Sequence, residues 1–481
     1  MLINITDNDI YILEYNNEEL GALAEVIKLK VKTMNSNEDE VFYPIAGNKI
    51  PSGFLPLLQF QFDRKGLPLN IQDDRTVKPL EEVEDIITEF GNLTLRDYQE
   101  EAVREAIRVG RGFIELPTGT GKTLIIAGIL KNLDIEKAVI ITPSISLAEQ
   151  IKRDLSYMLN EEIGIMNSSA KVKKNITVTT YATFKKRPTE FMNVDVLIMD
   201  EVHHLTGIKT FEAVWRNPAR YKFGLSATAT IDKINMKYIY AILGNCIYKK
   251  SIGELTEYLP EPSVLFFKMK YEDGRFDNLQ DITPFQRYRL EIIRNPVRNR
   301  LIARLGGILV DAGLNTLILC SKREHAYYIH MYLRQLEGID VPIIWSNVSA
   351  NLRNDIVQNF EKYKIAIATT IFDEGINIPS LNVIINATGE ASSIKTIQRA
   401  GRGFRKTENK SNLLIIDFID SFSRHAEYKS KLRADAYLKE IPKENVNVLM
   451  GEFSSTEKNE AVLESLKGYI SKFSSSPDLV V

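Results

Sequence analysis

From residue 95 onward the chain repeats one pattern. A short run of consecutive apolar residues closes on a polar turn, and a stretch with apolar positions three and four apart follows. The first set of runs predicts strands at 112–116, 138–141, 176–179, 194–199 and 222–225. A second set predicts strands at 315–320, 341–345, 365–369, 383–386 and 412–417. Continuous β-branched runs alternating with helices indicate parallel sheets covered on both faces. Residues 96–107 and 424–440 read as helices, and Leu259-Pro260-Glu261-Pro262 reads as the joint between the two sheets. The expected fold class is therefore α/β, with two tandem parallel-sheet domains at 93–257 and 258–440. Ahead of them, 1–92 reads as a small α+β module. Its turns fall at Asn35-Ser36-Asn37 and Pro51-Ser52-Gly53, and an acidic helix or linker is expected at 81–89. The tail 441–481 is polar and serine-rich and reads as partly loose.

The 481 residues are 44% hydrophobic and 26% charged, as in ordinary folded chains, which excludes a collagen-like or wholly disordered protein. No apolar run reaches the ~20 residues of a membrane span. The acidic start lacks a basic segment followed by an apolar core, so no secretory leader is expected. Two cysteines, Cys246 and Cys320, make no disulfide framework and no Cys-x-x-Cys metal pair, so the expected location is a reducing cytoplasm. The net charge of −2 is unevenly spread: 1–92 carry −9 and 391–433 carry +6. A local basic stretch of this kind can meet phosphates although the whole chain is near neutral.

The sharpest chemistry lies where the strand at 112–116 runs into Pro117-Thr118-Gly119-Thr120-Gly121-Lys122-Thr123 and then a helix. Strand, glycine-rich turn and helix N-terminus form a phosphate loop, because the glycines let backbone N–H groups close around phosphate oxygens. Lys122 then reaches the β and γ phosphates, and the Thr123 hydroxyl ligates Mg²⁺. Leu116 stands where the usual pattern has its first glycine. A second strand runs into Asp200-Glu201-Val202-His203. Asp200 is expected to hold the Mg²⁺ and Glu201 to orient the water that attacks the γ phosphate. His203 and His204 have no third ligand at zinc spacing.

With these two loops in place, the sequence resembles superfamily 2 helicases, and the match continues in order over about 95–440. Arg96-Asp97-Tyr98-Gln99 resembles the adenine-reading motif, with Gln99 on the adenine edge. Thr142-Pro143-Ser144 and Gln150, and then Thr180, sit where the family touches the nucleic-acid backbone. Ser226-Ala227-Thr228 resembles the motif that couples the ATP site to the nucleic-acid groove. In the second domain Ser321 ends a strand as in the fourth motif. Residues 368–379 resemble the fifth, in which Thr370 contacts phosphate and Asp373 and Gly375 face the nucleotide. Gln398-Arg399-Ala400-Gly401-Arg402-Gly403-Phe404-Arg405 resembles the arginine-finger motif, with Gln398, Arg402 and Arg405 in its catalytic places. Guanidinium groups suit that task because they spread positive charge over the leaving phosphate.

The Leu116 loop and the Asp-Glu-Val-His box resemble the branch that holds phage UvsW, XPB and some restriction motor subunits. Phe42-Tyr43-Pro44, 50–55 and Asp73-Asp74-Arg75 resemble the small module ahead of the motor in UvsW-like phage proteins. The resemblance implies tandem RecA-like domains, ATP and Mg²⁺ as cofactors, and a monomer acting on single-stranded or branched DNA, including forks, junctions, D-loops and R-loops. It implies 3′-to-5′ action, with no membrane partner, in a bacterial or phage-infected cytoplasm. The competing readings are an RNA helicase, a restriction motor, and a binding module without hydrolysis. No strict Asp-Glu-Ala-Asp box supports the first of these, no nuclease-like carboxylate cluster after residue 440 supports the second, and no missing catalytic group supports the third.

Overall fold

The computed structural model describes residues 1–31, 40–205, 207–227, 233–269, 282–345, 348–369, 378, 380–390, 412–453 and 466–470. The chain forms two compact units, the first made of Met1–Pro117 and Gly121–Lys250.

The first unit opens with β1 (Leu2–Ile5), β2 (Asp9–Glu14), α1 (Asn17–Ile27), β3 (Lys49–Pro51), α2 (Leu55–Lys65) and β4 (Asn70–Asp73). The four strands make a sheet of order β3-β2-β1-β4, in which β1 runs antiparallel to β2 and parallel to β4. Alternation along β1 puts Ile3 and Ile5 inside, against Leu23 and Phe62 of the two helices. Asn16 caps α1 reciprocally with Glu19, and Gly66 ends α2 in the left-handed conformation.

Eight strands follow in the same unit, joined by helices: α3 (Asp97–Val109), β5 (Arg111–Glu115), α4 (Lys122–Asn132), β6 (Ala138–Thr142), α5 (Ile145–Leu159), β7 (Gly164–Met166), β8 (Lys171–Val172), β9 (Ile176–Thr180), α6 (Tyr181–Lys186), β10 (Val196–Asp200), α7 (Ile208–Trp215), β11 (Tyr221–Ser226), α8 (Lys233–Leu243) and β12 (Cys246–Lys249). Their sheet order is β8-β7-β9-β6-β10-β11-β5-β12, parallel except for the β7–β8 pair. The inner strands are buried along their whole length, which explains their unbroken apolar runs.

The amino-terminal module shares a hydrophobic core with this sheet. Ile3, Ile10, Phe54 and Phe62 belong to the same cluster as Phe113, Trp215, Tyr238 and Ile242. Polar anchors reinforce the seam. Trp215 Nε1 donates to Asp9 Oδ1 at 2.8 Å, and the Arg111 guanidinium donates to Ile242 O at 2.7 Å and to Asn8 Oδ1 at 3.1 Å. At Gly53 the two backbones approach so closely that a Cβ there would lie 2.4 Å from Tyr240 O. The segment at 81–89 contains no helix. It is a strap without regular structure as far as residue 88, whose carbonyls at Val83 and Glu84 accept from Arg104, which turns an acidic run into backbone docking on α3.

The second unit contains β13 (Glu261–Met269), α9 (Pro296–Asp311), β14 (Thr316–Leu319), α10 (Arg323–Glu337), β15 (Ile343–Ile344), β16 (Ile365–Ala368), β17 (Val383–Asn386), β18 (Asn412–Asp420), α11 (Arg424–Glu440) and β19 (Val446–Phe453). Its sheet has the order β15-β16-β14-β17-β18-β13-β19. Two expectations change here. The proline joint is partly a strand, because Pro262 lies near the start of β13, which pairs along its length with β18. The polar tail supplies β19, which covers the other edge of β13. Beneath β18 a buried network holds the unit together. Arg433 bonds Asp417 at 3.0 Å, Arg298 bonds Asp420 at 2.9 Å, and Tyr437 donates to Asp417 at 3.1 Å.

Candidate phosphate cradle and nucleic-acid edge

The carboxyl ends of β5, β6, β9, β10 and β11 lie along one edge of the first sheet, where parallel sheets hold their ligands. At the end of β5 the loop 117–121 turns into α4. Gly119 (φ +90°) and Gly121 (φ +71°) occupy the left-handed region that side chains resist, so the turn needs glycine at both places. The Lys122 ammonium folds back onto its own loop and donates to Leu116 O at 3.2 Å and Pro117 O at 3.3 Å. It thus rests on the carbonyls of the cradle whose phosphates it would meet. Thr118, Gly119 and Thr123 are half-buried and Thr120 is buried.

Gln99 is buried against this loop. Its side-chain oxygen accepts from the Arg96 amide at 2.9 Å, and a Cβ at Gly121 would lie 2.7 Å from Gln99 Nε2. Arg96 itself is exposed and reaches the Tyr98 hydroxyl at 3.4 Å.

Asp200 ends β10, and Glu201 follows at φ +48°, ψ 56°. A left-handed conformation outside glycine costs ~1–2 kcal/mol, and such strain gathers at functional sites. Burial and the adjacent Glu201 carboxylate push the Asp200 carboxyl up to about 7, against the pull of the Lys122 ammonium. Glu201 Oε2 accepts from Ser226 Oγ at 3.4 Å, and Ser226 Oγ shares a 2.9 Å hydrogen bond with His203 Nδ1. Burial pushes His203 down to about 4, so the ring is neutral at physiological pH. Lys122, Asp200, Glu201 and Ser226 therefore act on one neighbourhood.

Thr142 and Thr180 are register partners at the ends of β6 and β9. Both are buried, and their hydroxyls serve the protein. Thr142 donates to Ser144 O at 3.1 Å, and Thr180 accepts from the Thr183 amide at 3.2 Å as the cap of α6. Ser144 caps α5 in the same way, accepting from the Leu147 amide at 3.3 Å. Pro143 and Gln150 are half-buried beside it. These residues present two helix N-termini on one edge, a disposition that suits backbone phosphates. In the second unit Ser321 is buried just beyond β14. Thr228, Thr370, Asp373, Gly375, Gln398, Arg402 and Arg405 lie outside the described residues.

Two side chains make contacts that their motifs do not specify. His203, the last residue of the Asp-Glu-Val-His box, hydrogen-bonds Ser226. Tyr181, the first residue of α6, donates its hydroxyl to Asp200 O at 3.1 Å. A tyrosine directly after a strand-end threonine is the one signal that pointed to it. Among the described residues no three His, Cys, Asp or Glu side chains cluster as a self-sufficient metal cage.

Comparison with known proteins agrees with this geometry. A family model described as "Type III restriction enzyme, res subunit" matches residues 92–231, and one described as "Helicase conserved C-terminal domain" matches 299–407. The chain is 28% identical over 365 residues to a DNA 3′-5′ translocase XPB2 of Sulfurisphaera tokodaii, covering 67% of this chain and 81% of that protein. It is 27% identical over 345 residues to the ATP-dependent DNA helicase uvsW of Enterobacteria phage T4, covering 67% and 68%. Among solved structures, the DNA-bound Type ISP restriction-modification enzyme LlaBIII superposes with TM-score 0.57 at 16% identity, over 85% of this chain and 35% of that one. Saccharomyces cerevisiae Dbp5 bound to RNA and ADP BeF3 superposes with TM-score 0.54 at 16% identity, over 81% and 95%. These superpositions establish the shared fold.

Proposed function

The chain belongs to the superfamily 2 helicases, in the company of XPB and UvsW, and from that premise we propose that it hydrolyses ATP to move along DNA and remodel branched structures such as forks and junctions. The observation that carries this reading is the meeting of Lys122, Asp200, Glu201 and Ser226 at one sheet edge, beside the helix N-termini at Ser144 and Thr180.

In this reading the amides of 118–121 and the Lys122 ammonium bind the triphosphate, and Gln99 and Arg96 border the base. The donor set fits Mg²⁺. Thr123 and Asp200 offer only oxygen, and two protein ligands suffice for an ion that arrives with phosphates and keeps several waters. When bound, the ion supplies charge neutralisation on the phosphate oxygens. Asp200 would hold the ion as a carboxylate. Glu201 orients the attacking water from its left-handed place at the end of β10. Ser226 and the neutral His203 hold that carboxylate in place. The family resemblance assigns neutralisation of the leaving phosphate to Arg402 and Arg405, a catalytic place to Gln398, and nucleotide contacts to Asp373 and Gly375. Thr142 and Thr180 set the strand ends from which Pro143, Ser144 and Gln150 meet the nucleic-acid strand, and the family resemblance assigns Ser321 and Thr370 to the same strand and Thr228 to coupling with Ser226. Residues 1–92 ride on the first motor unit as an accessory module.

The test is ATP-dependent rearrangement of a labelled model fork by the full chain. ATP-driven fork conversion, abolished in Lys122→Ala with DNA binding retained, is the expected result. Equal activity on an RNA duplex, or none on any branched substrate, overturns the proposal.

A further inference from the structure

The strand ends Thr180, Thr142 and Asp200 stand in a row, because β6 lies between β9 and β10. Tyr181 spans this row. Its backbone begins α6, whose cap is Thr180, while its hydroxyl donates to the Asp200 carbonyl at 3.1 Å on the far side of β6. The ring is 8% exposed and lies 6.2 Å from that of His204, which in turn lies 4.5 Å from the ring of His203.

The accepting carbonyl matters because of what it is bonded to. The Asp200 carbonyl and the Glu201 amide belong to one rigid peptide plane. Rotating that plane changes the φ of Glu201, which is held at +48°. A hydrogen bond to this carbonyl therefore biases the backbone that aims the Glu201 carboxylate. The same carboxylate ends in the Ser226 and His203 contacts. The Tyr181 side chain thus connects the first turn of α6 to the Asp200–Glu201 peptide.

We propose that Tyr181 is a positioning residue that transmits nucleic-acid engagement at the Thr180 end of α6 to the Asp200–Glu201 peptide, so that a bound strand raises the rate of ATP hydrolysis. The inference rests on the helicase reading and adds to it a second route of coupling, separate from the Ser226 contact. Tyr181 is buried, and its hydroxyl bonds the Asp200 carbonyl. It acts through Glu201, and strand binding and nucleotide binding are then linked in both directions.

The experiment uses the full chain with Tyr181→Phe, which keeps the ring and removes only the hydroxyl. Two quantities are read: the ratio of ATP hydrolysis with and without oligothymidylate DNA, and the change in affinity for that DNA caused by a non-hydrolysable ATP analogue. The stimulation ratio is expected to fall by about three- to tenfold, with the nucleotide-dependent change in DNA affinity shrinking in parallel. Tyr238→Phe is the control, since it removes a hydroxyl that donates to Lys30 O elsewhere in the same unit, and it should leave both quantities at wild-type values. If Tyr181→Phe lowers both rates together and leaves the ratio intact, the hydroxyl is structural support and the proposal falls. A wild-type chain with no DNA stimulation would instead remove the helicase reading, and the coupling with it.

Discussion

Two glycine-to-alanine substitutions in the amino-terminal module should change stability in opposite directions. A Cβ at Gly53 would lie 2.4 Å from Tyr240 O and 2.6 Å from Ala241 O, both backbone atoms at the end of α8. An ordinary carbon–oxygen contact is ~3.3 Å, so the seam must open by roughly 0.9 Å. The helix cannot yield locally, because Tyr238, Ile239 and Ile242 beside it are buried in the shared core. Forced overpacking of this kind costs ~1–3 kcal/mol. In a unit of this size each kcal/mol moves the midpoint by ~2–4 °C, so Gly53→Ala should lower Tm by roughly 2–12 °C. Gly21 sits in α1 with nothing within 4 Å of its notional Cβ. Alanine there removes unfolded-chain entropy and should stabilise by ~0.5–1 kcal/mol. Thermal unfolding of the two variants beside wild type decides the matter. A Gly53→Ala protein that melts at the wild-type temperature would show that the module is not seated on α8 as described.

Asp200→Asn should abolish turnover and yet stabilise the nucleotide-free protein, because burial holds the wild-type carboxyl at about 7. A raised carboxyl binds its proton more tightly folded than unfolded, so this group's contribution to stability falls as pH rises from about 4 to 7 and then levels. The variant's advantage in Tm should therefore be larger at pH 8 than at pH 5.5. An advantage that shrinks with pH would refute the assignment. Arg433→Met leaves Asp417 and Asp420 buried with a cation gone, and should cost about 3–5 kcal/mol in urea unfolding. Arg304→Ala, at the half-exposed pair with Glu337, should cost under about 1 kcal/mol.

Much of this architecture was legible because parallel strands bury both faces and read as unbroken apolar runs. All ten strands expected from those runs occur, within a few residues at each end. The phosphate loop was legible because its chemistry is local, with glycine, lysine and threonine adjacent in sequence. What escaped reading depends on distant partners. β13 begins with Glu261 and Pro262, which imitate a linker, and only its pairing with β18 and β19 makes it a strand. β19 sits in a stretch whose composition suggested a tail. The docking of 1–92 turns on Gly53, Arg111 and Trp215, none of which carries a sequence signature for it. The shared core also means that removing the module would expose Phe113 and Tyr238, so its role is better probed by surface substitutions than by deletion. Thr142 and Thr180 stand at the expected strand ends, but their hydroxyls turn out to be caps and carbonyl ties, a distinction that needs hydrogen-bond geometry.

The central claim is that one sheet edge joins nucleotide chemistry to a nucleic-acid strand. Steady-state ATP hydrolysis by the full chain, titrated with single-stranded DNA and compared with Glu201→Gln, tests it most directly. The rate is expected to climb with DNA to a plateau in the wild type and to stay near zero in the variant, which still binds nucleotide. A wild-type rate indifferent to DNA, or a variant that hydrolyses ATP as fast as its parent, would contradict it.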